Sequence, residues 1–230
     1  MQAFYFQRPL NDSRLARRSG SAFIAILLFL AAAYSQKPAS TPNGPTKDDS
    51  FKPLVSKLKG GDTTIDFKAL RLASVDSDAE EAGEADRELY KKAVVALNAK
   101  KYDEVISACE KTLKSGYLDI DTHVLLAVAY RETGNSKKFD FHKAVYLGLV
   151  NSILAGADGK SAKTAYVVIT VGEEYAILGA LELKRGNQAL RTEDGHKYDV
   201  LTVTDPKTNQ TKDIWFNIDI VWKGYEKMFK

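Results

Sequence analysis

Glu173, Glu174 and Tyr175 place two carboxylates beside a phenol, side-chain types that can serve as acid and base in proton transfer. In a helix, however, neighbouring positions do not face each other, so the two acids are not expected to share a site. Acids in a first helical turn also oppose the helix dipole favourably, and that structural role is the one expected here. His123, His142 and His196 are too far apart for the HExxH spacing that puts two metal ligands on one helical face. His142, within KFDFHKAV, is placed to face a groove beside phenylalanines, although a packed or solvated histidine is the commoner outcome. Together with Glu173, Tyr175 and Asp62, it makes up the set of candidate binding residues. The single cysteine, Cys109, excludes a disulfide framework and any multi-thiolate metal site, and its apolar period assigns it to the core. Gly159-Lys160-Ser161 imitates the end of a phosphate-binding loop, but Leu154 stands where the first glycine is needed, and helix precedes strand instead of following it. Asp76, Asp78 and Glu80 alternate like calcium ligands without the glycine and final glutamate that such a loop requires. No catalytic residue, metal or cofactor is therefore expected. An enzyme, if one, would be a hydrolase combining His142 with Asp62, Asp66 or Glu173.

These residues must be positioned by helices first and strands later. Phe51, Leu54, Val55 and Leu58 recur at helical spacing until Gly60-Gly61. Asp62 or Thr63 is placed to cap a second short helix with Ile65, Phe67, Leu70 and Leu72 on its apolar side, and residues 76–86 read as a solvated acidic loop. From Arg87 to Ala155 the three- and four-residue steps describe two antiparallel helix pairs whose turns, at Lys100 and Gly134, lie 34 residues apart. That is the tetratricopeptide period, and LLAVAYRETGN (125–135) and KKYDEVISACEKTL (100–113) resemble parts of such a repeat. Lys100, Val105, Phe139 and Tyr117 depart from its pattern. Two repeats are fewer than a stable solenoid needs, so the helices must pack on something else.

After Gly156 the period becomes two. Ala165–Val171 reads as a buried strand, Glu173–Leu183 as a short helix, and 188–192 with 197–204 as a hairpin turning at Asp194-Gly195. Asp213–Ile220 reads as a last strand before a terminal helix carrying Trp222, Tyr225 and Phe229. The expected fold class is α+β: a stack of tetratricopeptide-like antiparallel helices (51–155) on a small, mainly antiparallel sheet (156–230), each hiding the other's apolar face.

The N-terminus has a different character. Arg14, Arg17 and Arg18 lead into the uncharged run Ala22–Tyr34, which is too short for a membrane-spanning helix and has the shape of an export signal, with cleavage between Ser35 and Gln36. Residues 36–50, with three prolines, read as a flexible tether. Of the 33 basic and 30 acidic residues, the leader holds four arginines and one aspartate, so the rest is electrically balanced. Such a surface lacks the cationic surplus that binds phosphates, which argues against nucleic acid as a partner. Membrane contact is expected only through the leader, if it is retained.

Three blocks, LVSKLKGGDTTIDFKALRLA (54–73), KKFDFHKAVYLGLVNSILAGADGKSAKTAYVVITVGEEYAIL (137–178) and YDVLTVTDPKTNQTKDIWFNID (198–219), together resemble the bacterial domain-of-unknown-function family 4919. The resemblance runs over nearly all of the chain beyond the leader. It implies an exported protein and carries over no catalytic residue. The function expected is a periplasmic or secreted, non-catalytic module of the cell envelope that binds a protein or peptide on the concave face of its helices. The alternatives are the hydrolase and a purely structural envelope component.

Overall fold

A computed structural model describes residues 50–75, 77 and 84–228. The leader, the cleavage point Ser35/Gln36, the tether up to Asp49 and the Asp76, Asp78, Glu80 triplet lie outside them. Six helices come first: α1 (Phe51–Lys59), α2 (Phe67–Ser74), α3 (Glu84–Asn98), α4 (Tyr102–Ser115), α5 (Ile120–Glu132) and α6 (Ser136–Leu154). A 3-10 turn (Ala162–Thr164) leads to β1 (Tyr166–Val167), α7 (Val171–Ala180), β2 (Lys184–Glu193), β3 (His196–Thr204), β4 (Thr211–Asn217) and α8 (Asp219–Met228). The α+β class is as expected. None of the described helices is long and apolar enough to cross a membrane.

The helix boundaries follow from local chemistry. α1, α3, α5 and α7 end in the same way: α3 with Lys101 N donating to Ala96 O at 2.9 Å and Lys100 N to Leu97 O at 2.9 Å, and α5 with Asn135 N donating to Tyr130 O at 2.8 Å and Gly134 N to Arg131 O at 3.1 Å. These paired bonds satisfy carbonyls that would otherwise be orphaned, and they need one left-handed residue. That residue is Gly61 (φ 100°), Lys100 (φ 58°), Gly134 (φ 76°) and Glu182 (φ 56°) respectively. The two helix-pair turns are thus built alike, Lys100 accepting the strain that Gly134 avoids.

Several expectations are corrected. α2 is capped by Asp66, whose side chain accepts from Ala69 N at 2.9 Å, while Asp62 turns its carboxylate onto Thr64 N and Oγ1. Its buried face is Phe67, Leu70, Arg71 and Ala73, and Leu72 is 40% exposed. The acidic loop is shorter than expected, because helix begins at Glu84. The β-branched run after Ala165 gives only two ladder residues, since Thr170 caps α7 by accepting from Glu173 N and turns the chain into helix at Val171. The last strand likewise ends at Asn217, where Asn217 Oδ1 accepts from Asp219 N and starts α8.

The sheet order is β1-β4-β3-β2, with β1 parallel to β4 and the other pairs antiparallel. β2 and β3 join through Asp194 (φ 50°) and Gly195 (φ 83°), the two-residue turn expected from the sequence. Register places Asp199, Leu201, Val203, Ile214 and Phe216 on one face and Tyr198, Val200 and Trp215 on the other. All the former are buried. Between the layers, α6 packs against α2, α7 and β1, while α7 also touches α5 and β2. α5 is consequently buried around its circumference, from Ile120 and His123 through Leu125–Tyr130.

Candidate functional site

Arg71 and Glu173 meet across 102 residues of sequence. Arg71 Nε donates to Glu173 Oε1 at 2.7 Å and Nη2 to Oε2 at 2.6 Å, a two-pronged pair with side chains only 3% and 8% exposed. Nη2 also reaches Val167 O at 3.2 Å and Nη1 reaches Ser152 Oγ at 3.3 Å, while Glu173 Oε2 accepts from Ile169 N at 2.8 Å. One guanidinium therefore ties together α2, α6, β1 and the start of α7. Each desolvated charge is met by its partner and by backbone, as a buried ion pair requires.

Glu174 points elsewhere. On α7 it shares a face with Ile177 and Leu178, and it is fully buried. It faces Asp199, which occupies a core position on the helix-facing side of β3. Gln188 Nε2 donates to Asp199 Oδ2, leaving Asp199 Oδ1 and both Glu174 oxygens without a donor. Burial, then the Asp199 carboxylate facing it, push Glu174 up to about 9, and burial also raises Asp199. Tyr175, the third residue of the cluster, leaves this pair and receives Arg185 Nη1 on its hydroxyl at 2.6 Å, with the guanidinium 5.1 Å from the ring centre.

His142 is buried and lies against His123, Nδ1 to Nδ1 at 3.0 Å, while His123 Nε2 is 2.8 Å from Tyr117 O. The carbonyl only accepts, so His123 Nε2 carries a hydrogen, and its Nδ1 then accepts from His142 Nδ1–H. Burial pushes His123 down to about 4, and burial followed by the His123 neighbour pushes His142 down to about 3. Neutral imidazoles packed in this way are structural. Tyr130 stacks on His142 at 5.6 Å and donates to Glu110 at 2.6 Å, with Lys138 donating to both oxygens.

The four sequence candidates are not brought together. His142 pairs with His123, Glu173 with Arg71, Tyr175 with Arg185, and Asp62 with its own loop. Asp66 is a helix cap. The proposed hydrolase set has no hydrogen bond joining its members among the described residues. Cys109 is buried in the core of α3, α4 and α5, where desolvation pushes its thiol up to about 12. Among the described residues, no group of three or more His, Cys, Asp or Glu is placed to hold a metal ion.

The segment from Gly156 to Tyr175 is wired to itself and to β4. Asp158 N and Gly159 N donate to Thr164 O, Trp215 N donates to Gly159 O at 2.8 Å, and Asp158 Oδ1 accepts from Lys160 N. Gly159 (φ 67°) lies so close to Tyr166 that a Cβ would come within 2.4 Å of the ring. The phosphate-loop look-alike is thus a connector. A family model described as Domain of unknown function (DUF4919) matches residues 51–227. The chain belongs to this family. No curated protein and no solved structure matches it. The DUF4919 match takes in every described element from α1 into α8, so Arg71, Glu173, Glu174 and Asp199 all lie within it.

The sequence reading missed Arg71, Asp199 and His123 as partners. Two of these carried a usable signal. Alternation in KYDVLTVT puts Asp199 on the side of Leu201 and Val203, an acid at a core position, and reflecting His142 through the turn at Gly134 lands near His123 on the facing helix. Arg71 had only its i, i+4 relation to Phe67.

The edge of the sheet is the other feature exposed for contact. β2 has no strand on its outer side among the described residues, and all ten of its residues are exposed. It carries Lys184, Arg185 and Arg191 against Glu193, with Leu190 44% exposed.

Proposed function

We propose that this DUF4919 protein is an exported, non-catalytic module of the bacterial cell envelope that binds a partner protein or peptide as an added strand on the outer edge of β2. The observation that carries the reading is the ten-residue exposed edge, which pairs with no strand on its outer side among the described residues, a ready template for strand addition. The concave helical face expected from the sequence is a poorer surface, because α7 packs on α5 and fills it. The basic residues of β2 favour an acidic extended segment, with Leu190 supplying an apolar anchor. A non-catalytic role is supported by His142 and Glu173 each being consumed by an internal partner. Export is supported by the arginine-led apolar leader, and the tether of 36–50 suits a module held away from its point of attachment.

Fluorescence anisotropy with a labelled peptide of alternating glutamate and valine tests this. The wild-type chain is expected to bind it, and Leu190→Glu with Arg191→Glu is expected to weaken binding at least about tenfold, through loss of the anchor and charge reversal. Equal binding by the variant, or no binding by the wild type, would overturn the reading.

A further inference from the structure

Glu174 and Asp199 face each other, yet a pair of carboxylates has nothing to donate. Both residues are at least 98% buried, and three of their four oxygens lack a donor, only Asp199 Oδ2 being served, by Gln188. Two ionised acids cannot be held face to face in a medium of low dielectric constant, whereas one proton between them turns the repulsion into a hydrogen bond. The groups around them do not supply a competing cation at close quarters. Glu173, on the same helix, adds negative charge to Glu174 and is itself committed to Arg71. Arg185, on β2, acts on Asp199 only at a distance, because its guanidinium is bound to Tyr175 on α7. Gln188, also on β2, is neutral.

We propose that Glu174 and Asp199 share a single proton that latches α7 to the sheet, closed while the proton is held and released when it is lost. Asp199, with the Gln188 amide on Oδ2, is the acceptor, and Glu174 carries the hydrogen. The latch joins α7 to β3 directly and to β2 through Gln188. Beside it, β2 is irregular between Arg185 and Gln188, and a Cβ on Gly186 would meet Thr202 O at 2.9 Å. Loss of the proton leaves two buried negative charges between the layers, so α7 and the first residues of β2 are the elements that separate.

The sense of the pH dependence follows from the folded chain holding this proton more tightly than the unfolded chain, whose glutamate titrates near 4.5. The stabilisation is complete below that value and is lost as pH rises through about 9. The test is urea denaturation of the full chain from pH 6 to 10, in parallel with Glu174→Gln and Asp199→Asn, plus infrared spectroscopy of the wild type at neutral pH. The wild-type folding constant should fall roughly tenfold or more between pH 7 and 9, and this fall should be absent from Glu174→Gln and smaller in Asp199→Asn, where Glu174 stays buried but loses its charged neighbour. The infrared spectrum should contain a protonated carboxyl band that disappears as the pH passes about 9. An unchanged alkaline limb in a folded Glu174→Gln, or no protonated carboxyl at neutral pH, would overturn the proposal. So would calcium raising wild-type but not Glu174→Gln stability, which would make the acids a cation site. If neither variant folds, the infrared band decides alone.

Discussion

A guanidinium with 3% of its side chain exposed has to be neutralised where it stands, and Glu173 does this for Arg71 with two short bonds. Arg71→Met leaves that carboxylate buried and unpaired, so urea denaturation should show a loss of about 3–5 kcal/mol, most of it recovered when Glu173→Leu is added. The histidine pair makes an opposite demand. Both imidazoles titrate below their ordinary 6.5, at about 4 and about 3, so the unfolded chain takes up protons first as the pH falls. Their stabilisation is whole above pH 6.5 and is lost progressively towards pH 4. His142→Gln, whose amide can still donate to His123, should flatten part of that acid limb in melts run from pH 7 to 4. At this scale the sequence was half legible. Glu173 and Glu174 do occupy separate environments, as helical geometry required, but their partners lie on distant segments that a local period cannot reach.

Elements were read best where one local rule was decisive. Asp194-Gly195 made its hairpin turn, and the equivalent turns at Lys100 and Gly134 came out 34 residues apart with the same hydrogen bonds. Reading failed where a cap competed with a run: the β-branched stretch after Ala165 looked like a full strand, but Thr170 ended it after two ladder residues. Two substitutions probe the element scale. Lys100→Gly should raise stability by about 0.5–1 kcal/mol in thermal melts, because relief of left-handed strain outweighs the flexibility that glycine adds to the unfolded chain. Gly148→Ala should lower it by about 1–3 kcal/mol, since its Cβ would come within 2.3 Å of the Phe67 ring where α2 crosses α6.

Across the whole molecule, the change of period at Gly156 marked the passage from helices to sheet. The covering of α5 was not legible, because it depends on α7 folding back between the layers. On the proposed reading, that placement shifts the partner's docking surface from the helical groove to the β2 edge. Amide hydrogen exchange of the full chain, with and without the glutamate–valine peptide, tests this most directly. The peptide should slow exchange in residues 184–193 and leave 120–132 as slow as before; protection arising in the helices with β2 unchanged would contradict the account.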